Sequence, residues 1–349
     1  MSFICFFTLA SMSDDLVRVL PATMLQQFEK TLTGLGFPQL KATLVARVFM
    51  ENSLDGVYSH GVNRFPKFVQ YVRNGLINIQ GEPERVHQSG AVEQWEGNGG
   101  PGILNALRCA ERAMEIAGEY GIGCVALAHT NHWMRGGTYG WKVAKSGYVY
   151  IGWTNTIATM PPWGATDAKL GNNPLVIAVP FQNEAIVLDM AMSQFSFGAL
   201  QHKKMRNERL TVPGGYNKDG NLSDDAAEIL DTERVLPVGF WKGAGLSLLL
   251  DILATVLSAG HSVKAISDQK EEYNLSQVFI AISLDGLKNY DYIDSMVGEI
   301  IADYHHATTL AGKGPVLYPG ERVLKTRSEN RNLGIPVIKA VWDEIISMV

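Results

Sequence analysis

Apolar residues recur along this chain first at helical spacing and then, from about residue 90, at strand spacing. Leu25, Phe28 and Leu32 predict an amphipathic helix over residues 21–35, with Thr23 as a possible cap. Leu44, Val45, Val48 and Phe49 predict a second helix after the Gly36-Phe37-Pro38 break. Phe65, Phe68, Val69 and Val72 predict a third, with Asn63 as N-cap and Pro66 in the first turn. The first eighty residues therefore look all-helical. The character changes near Gly81-Glu82-Pro83. Residues 91–95 read as a short strand, Ile103, Ala106, Leu107, Ala110, Ala113, Met114 and Ala117 as a helix, and residues 124–128 as a strand. Further strands are expected at 148–154, at 175–179 ending on Pro180, at 185–188 closed by Asp189, and at 277–284. Residues 246–257 are apolar on nearly all sides, Asp251 being the one charge, which predicts a mostly buried helix. Ile293, Met296, Ile300 and Ile301 suggest a late helix, and Val341, Ile345 and Ile346 a final one. The expected fold is α/β: a sheet domain over residues 81–309, and a helical domain built from both chain ends, 12–80 with 310–349.

Composition agrees with that picture and narrows the function. A chain of 349 residues, 46% hydrophobic and 19% charged, is long enough for two domains and a large core. Its net charge of −5 offers no basic surface for nucleic acid or an anionic membrane, so neither is an expected partner. Cys5, Cys109 and Cys124 make an odd count with no C-x-x-C pair, which argues for a reducing, cytoplasmic setting and against a thiolate zinc site. Residues 3–10 are apolar but lack a basic leader and are too short to span a bilayer. A start at Met12 would remove them, so residues 1–11 are taken as a tail. No other segment approaches a membrane-spanning length without charge.

Several stretches could carry chemistry. In Gly56-Val57-Tyr58-Ser59-His60-Gly61-Val62-Asn63-Arg64-Phe65-Pro66 a histidine stands beside a serine, a glycine frees the backbone, and an arginine follows. His60 would lie in a turn entering a helix start, where the helix dipole disfavours a ring proton and favours nearby anions. A histidine titrating near neutrality beside an arginine able to hold a carboxylate is an acid/base-plus-anchor pair. The bland alternative is a hydrogen-bonded turn histidine with Arg64 on a solvated face. Gly97-Asn98-Gly99-Gly100-Pro101-Gly102 fits G-x-G-x-x-G between a strand and a helix. Pro101 removes an amide a pyrophosphate would use, and no acidic residue ends the next strand, so a Rossmann reading is disfavoured.

His129 and His132 follow the strand at 124–128. They suggest a metal-dependent hydrolase as a competing class, but no H-E-x-x-H pattern or nearby carboxylate accompanies them and no metal is expected. His305-His306 ends a helix-like run, where its charge is favourable. Trp153-Thr154-Asn155 ends a strand, Met160-Pro161-Pro162-Trp163-Gly164 is a rigid apolar loop after it, and Gly171-Asn172-Asn173-Pro174 is a turn entering a buried strand; their amides could hold a substrate's hydroxyls or a cofactor's carboxamide, or such Asn-rich turns could form for backbone reasons alone. Asp189 could orient an imidazole or a ribose, or simply be solvated. Phe240-Trp241-Lys242-Gly243-Ala244-Gly245 precedes the apolar helix; it could seat a phosphate or could only let the helix pack closely.

Taken in order, Tyr58-Ser59-His60-Gly61-Val62-Asn63-Arg64, Gly121-Ile122-Gly123, Asn131-His132, Trp153-Thr154-Asn155, Gly171-x-Asn173-Pro174 with Pro180, Leu188-Asp189-Met190-Ala191-x-Ser193, Lys242-Gly243-x-Gly245 and Pro319-Gly320-Glu321 resemble the malate/L-lactate dehydrogenase superfamily. This is the L-sulfolactate dehydrogenase-like fold, unrelated to Rossmann dehydrogenases. The resemblance runs from about residue 22 to the end; Asn172 stands where a threonine is usual, and the tail 1–11 has no counterpart. It implies a dimeric oxidoreductase of 2-oxo and 2-hydroxy acids that uses NADH, with NADPH open, on a non-Rossmann cofactor-binding sheet. The family's catalytic histidine falls on His60. Its cofactor segments fall on Ala185, Ile186, Val187, Leu188, Asp189, Met190 and Ala191, on Trp241 and Lys242, and on Gly320, Glu321 and Arg322. On this reading His60 supplies a proton, Arg64 or Arg135 holds the substrate carboxylate, His132 and Asn155 bind the carbonyl or chain hydroxyls, and Asp189 fixes local geometry. Asn155, His132, Trp133, Trp163 and Tyr139 in segments around the site would suit a longer hydroxylated acid; a malate- or lactate-type acid is the alternative.

Overall fold

A computed structural model describes residues 16–348; the expected tail, residues 1–11, lies outside the described residues. The chain forms two compact units, one made of the stretch through Gln70 together with the stretch from Val323 onward, the other of Tyr71–Arg322. The divisions at 70/71 and 322/323 assign Gly320, Glu321 and Arg322 to the sheet unit.

In the first unit the helices Pro21–Gly34 and Gln39–Leu54 bury the apolar stripes seen in the sequence. Phe28 stacks on Phe65 at 4.1 Å between ring centroids, and Phe49 meets Phe65 and Phe68 edge-on at 5.2 and 5.3 Å. Edge-on and offset packing of this kind suits the ring quadrupoles. The expectation of an all-helical beginning is corrected here. Leu16–Val19 is a strand, paired antiparallel with Ile335–Ile338. Four residues are too few to show alternation, and the partner lies at the other end of the chain.

The second unit holds a seven-stranded sheet. Its strands are β1 (Glu84–Ser89), β2 (Val92–Glu96), β3 (Ile122–Thr130), β4 (Tyr148–Thr154), β5 (Leu175–Phe181), β6 (Glu184–Met190) and β7 (Leu275–Ser283). They are arranged in the order β1-β2-β3-β7-β4-β5-β6. Only β2 and β3 run parallel, joined by the helix Gly102–Tyr120; every other neighbouring pair is antiparallel. Alternation along β3 feeds two cores. A Cβ on Gly123 would meet Ala113 and Ile116 of the helix Gly102–Tyr120, whereas Cys124 and Ala126 pack with Leu250 and Ala254 of the helix Trp241–Ser258. Helices thus cover both faces of the sheet.

The helix Trp241–Ser258 departs from expectation. It buries Gly243, Ala244, Ser247, Leu250, Ala254 and Ser258, a stripe of mostly small residues, while Leu249, Ile252, Leu253 and Val256 are exposed. By length and composition alone it could cross a membrane. Asp251 ties it to the sheet unit instead, accepting hydrogen bonds from Asn155 Nδ2 at 2.9 Å and the Val263 amide at 2.8 Å.

Candidate active site

The first unit presents His60 on a tightly anchored turn. Tyr58–His60 and Val62–Arg64 are consecutive 3-10 turns leading into the helix Phe65–Arg73, so the helix starts slightly later than an Asn63 cap implies. A Cβ on Gly61 would lie 2.3 Å from Ser53 Oγ and 2.8 Å from the Ser53 nitrogen, so glycine lets the turn press onto the helix Gln39–Leu54. The Ser53 hydroxyl donates to the Phe49 carbonyl and accepts the Val62 amide, both at 2.8 Å. Asn52 Nδ2 donates to the His60 carbonyl at 2.9 Å, and Ser59 Oγ lies 3.1 Å from His60 Nδ1. His60 and Arg64 are both half-buried. The chain leading into the turn is held from the carboxy-terminal part of the sequence. Arg327 grips Asp55 with two bonds of 2.6 and 2.9 Å, and Asn330 Nδ2 donates to the Leu54 carbonyl and to Tyr58 Oη. No local pattern announces these contacts.

In the sheet unit the remaining candidates gather at one end of the sheet. There β2, β3, β4 and β6 finish and β5 and β7 begin, as the pairs Leu275 with Thr130, Gln277 with Thr154 and Leu175 with Met190 require. Loops after strand ends are where α/β sheets hold ligands. The glycines of Gly97–Gly102 have a packing reason. Cβ atoms on Gly97, Gly100 and Gly102 would strike the carbonyls of Ala128, Gly81 and Asn131 at 2.8, 2.6 and 2.0 Å.

The two histidines after β3 have different partners. His129 Nδ1 pairs with Glu96 Oε2 at 2.8 Å, and its ring meets His261 edge-on at 4.8 Å. His132 Nδ1 accepts the Met134 amide at 2.9 Å, and its Nε2 lies 4.0 Å from Glu272 Oε1. Among the described residues, no three His, Cys, Asp or Glu side chains group as around a metal ion.

Asn155 is corrected as a substrate contact. It is fully buried, its Nδ2 donates to Asp251 Oδ1 and the His261 carbonyl, and its Oδ1 accepts the Ser276 amide at 2.8 Å. With all its amide groups committed, it joins the loops rather than facing a ligand. Asn173 acts alike, bonding Ser247 with Nδ2 and the Thr156 amide with Oδ1. Burial pushes the Asp251 carboxyl up, and its bonds from Asn155, Val263 and Thr255 pull it back. Trp133 and Tyr139 also lie inside. They pack on Phe279, with Tyr139 Oη donating to the Trp133 carbonyl at 2.6 Å, so they support the loop and do not cover a carbon chain. Trp163 is exposed and tilts against Phe240 at 5.1 Å.

Asp189 closes β6. Its Oδ2 accepts the Gly137 amide at 2.8 Å, at the start of the helix Gly137–Lys145, and stands 3.7 Å from Arg135 Nε. Burial pushes this carboxyl up, while Arg135 and the Gly137 amide draw it down. Arg135 is itself buried, its side chain 6% exposed.

The segments expected to hold a dinucleotide converge. β6 is an edge strand, and the Val187 amide donates to the Pro319 carbonyl at 3.0 Å. Gly320 has φ +94°, and a Cβ there would come within 3.3 Å of the Val187 nitrogen and oxygen, so only glycine brings this turn so close. Glu321 Oε2 accepts the Tyr318 amide and pairs with His305 Nε2, both at 3.0 Å. Beyond β6, the Val238 amide donates to the Met192 carbonyl and the Gln194 amide to Leu236, leading directly into the exposed Trp241 and Lys242 at a helix start. A backbone-lined strand edge and a lysine at a helix start suit the phosphates of a nicotinamide dinucleotide.

The sequence profile of the malate/L-lactate dehydrogenase family matches residues 19–346. The chain is 42% identical over 320 residues to 2,3-diketo-L-gulonate reductase of Escherichia coli O6:K15:H31 (strain 536), covering 91% of this chain and 96% of that relative. Among solved structures it resembles sulfolactate dehydrogenase from Methanocaldococcus jannaschii, with a TM-score of 0.88 and 25% identity, covering 95% and 96% of the two chains. It also resembles malate dehydrogenase from Entamoeba histolytica in fold, with a TM-score of 0.90 at 23% identity, covering 95% and 97%. The chain belongs to the malate/L-lactate dehydrogenase family and is an oxidoreductase that interconverts 2-oxo acids and their CH–OH counterparts.

Proposed function

We propose that this enzyme reduces the C2 carbonyl of 2,3-diketo-L-gulonate with NADH, giving 3-dehydro-L-gulonate, and that His60 is the proton donor. The observation that carries the substrate is the 42% identity, over 91% of the chain, to relatives bearing that activity. A bound reduced nicotinamide supplies the hydride. The chain's residues do the rest. His60 gives a proton from Nε2 to the nascent alkoxide while Ser59 Oγ, 3.1 Å from Nδ1, holds the ring. Arg64 holds the substrate carboxylate; Arg135 is less suited, being buried against Asp189. Asp189 fixes the loop 135–137 by its bond to the Gly137 amide. The strand edge 185–191, Trp241, Lys242 and the turn 320–322 hold the cofactor, NADH in preference to NADPH.

The enzyme acts as a homodimer in the cytoplasm. The apolar face of the helix Trp241–Ser258 supports self-association, since a row of exposed Leu, Ile and Val gains by leaving water. Cys109 and Cys124 are free and buried, and burial pushes the Cys124 thiol up to about 11, which suits inert structural thiols. The test is the loss of NADH or NADPH absorbance with 2,3-diketo-L-gulonate, pyruvate and oxaloacetate in turn. The expected specificity constant for diketogulonate with NADH exceeds pyruvate's by roughly a hundredfold or more. Faster reduction of pyruvate or oxaloacetate sinks the diketogulonate assignment.

A further inference from the structure

We propose that Phe240 and Trp163 form an aromatic latch that fixes the turn presenting Lys242, making Phe240 a positioning residue for binding of the dinucleotide. This rests on the reading of Trp241 and Lys242 as part of the cofactor site.

The backbone of Phe240 is the unusual feature. With φ +62° and ψ −120° it holds the conformation of the first central residue of a type II′ turn, a place that glycine dominates because a Cβ is crowded there. The turn is closed, the Lys242 amide donating to the Gly239 carbonyl at 3.3 Å. Gly239 stands before it at φ +59°, and the Phe240 amide donates to the Pro237 carbonyl at 3.1 Å. Two tight turns therefore follow one another directly before Lys242. Their flanks are held. The Val238 amide bonds the Met192 carbonyl at 2.8 Å, and a Cβ on Gly243 would lie 2.0 Å from the Val238 carbonyl oxygen. The first turn of the helix Trp241–Ser258 thus presses on Val238, and the exposed Trp241 and Lys242 lie between that anchor and Phe240.

The Phe240 ring has one aromatic partner, Trp163, tilted against it at 5.1 Å between centroids. Each of the two residues is 45% exposed, so burial in a core does not account for a phenylalanine where glycine belongs. Trp163 stands on a short, stiff hairpin. Ala158–Met160 pairs with Leu170–Gly171, the Lys169 amide bonds the Met160 carbonyl at 3.0 Å, and the Ala165 amide bonds the Pro162 carbonyl at 2.9 Å. Met160 and Leu170 are buried in the core that also holds Leu250 and Ala254 of the helix Trp241–Ser258. Pro161 and Pro162 fix φ at the tip. The indole is a fixed post, and its contact with Phe240 offsets the strain of the turn.

Glycine at position 240 would accept this conformation without strain and would leave it as freely. Phenylalanine without its partner would be driven out of it. With the contact made, the turn keeps one setting and Lys242 stays in place. Apparent affinity for a ligand scales with the fraction of molecules that hold the competent setting, so the latch acts on cofactor binding.

Calorimetric titration of NADH into the full-length protein tests this, with melting of the cofactor-free protein measured alongside. Phe240→Gly is expected to weaken NADH binding about tenfold while Tm stays within about 2 °C, because relieved strain offsets lost ring packing. Trp163→Ala is expected to weaken binding by a similar factor, and the double variant by no more than either alone, since both remove one contact. Phe240→Tyr keeps the ring and is expected to bind within about twofold of wild type. Unchanged affinity in both single variants, or losses that multiply in the double variant, overturns the proposal. A larger fall of Tm in Phe240→Gly also overturns it, making the ring a structural support. Lys242→Ala separates the latch from the reading beneath it. Wild-type affinity in that variant refutes the cofactor seat and the latch's role with it; a loss there with none in Phe240→Gly refutes the latch alone.

Discussion

Replacing Gly61 with alanine tests how His60 is held. The new Cβ would stand 2.3 Å from Ser53 Oγ, 2.8 Å from the Ser53 nitrogen and 3.1 Å from the Phe49 carbonyl, two of them backbone atoms of one helix. The Ser53 hydroxyl cannot swing aside without losing its bonds to Phe49 and to the Val62 amide. The turn must lift instead. Overpacking of this kind costs about 1–3 kcal/mol, and the lost Val62 bond adds about 1 kcal/mol. The expected loss is about 2–4 kcal/mol, a fall in Tm of roughly 3–5 °C by thermal denaturation of a chain of 349 residues. Lifting the turn also moves His60, and a displacement of about 1 Å costs on the order of a hundredfold in turnover. Removing the hydroxyl as well, in Gly61→Ala with Ser53→Ala, relieves only the shortest contact and should recover only part of the loss. A single variant with wild-type Tm and wild-type kcat would refute the idea that close packing on the helix Gln39–Leu54 positions the histidine.

His60→Asn should lower kcat by about two to four orders of magnitude while NADH binding, followed by fluorescence, changes little; near-normal turnover would move the proton-donor role to another group, His132 first. Leu249→Asp on the exposed face of the helix Trp241–Ser258 should give a monomer in sedimentation, and an intact dimer would exclude this face as the interface. Glu93, fully buried, should make the fold acid-sensitive: burial pushes its carboxyl up, but hydrogen bonds from Arg112, Trp95 and Arg85 outweigh it and bring it from 4.5 down to about 2. A depressed carboxyl stabilises above its unfolded pKa and loses that contribution as pH falls from about 4.5 through 2, here about 3 kcal/mol in all. Denaturant titrations should therefore show a steeper stability loss below pH 4.5 in wild type than in Glu93→Gln, and parallel curves would count against the pairing.

What was legible in the sequence was what neighbouring residues decide. β4 matches the expected range 148–154, and β3, β5, β6 and β7 differ from expectation only at their ends, because β-branched and apolar runs with one or both faces buried leave a strong local pattern. β1 left none: every residue of Glu84–Ser89 is exposed, so its sequence Glu-Arg-Val-His-Gln-Ser carries no inward-facing alternation. The helix Trp241–Ser258 was located but its burial was not, since a leucine turned to a core and one turned outward are the same letter. The site divides in the same way. His60 and Arg64 sit in one motif, and the glycine between them has a contact that explains it. The Arg327–Asp55 pair spans 272 residues of chain, and the Asn155–Asp251 bond spans 96, so only the folded chain reveals them. Such distant contacts also decide what an exposed-looking side chain can do. Asn155, Trp133 and Tyr139 have the chemistry of substrate contacts, yet buried partners claim all three. Residue type decides which chemistry a side chain can offer; the loops at the strand ends decide which of those side chains can still offer it to a ligand.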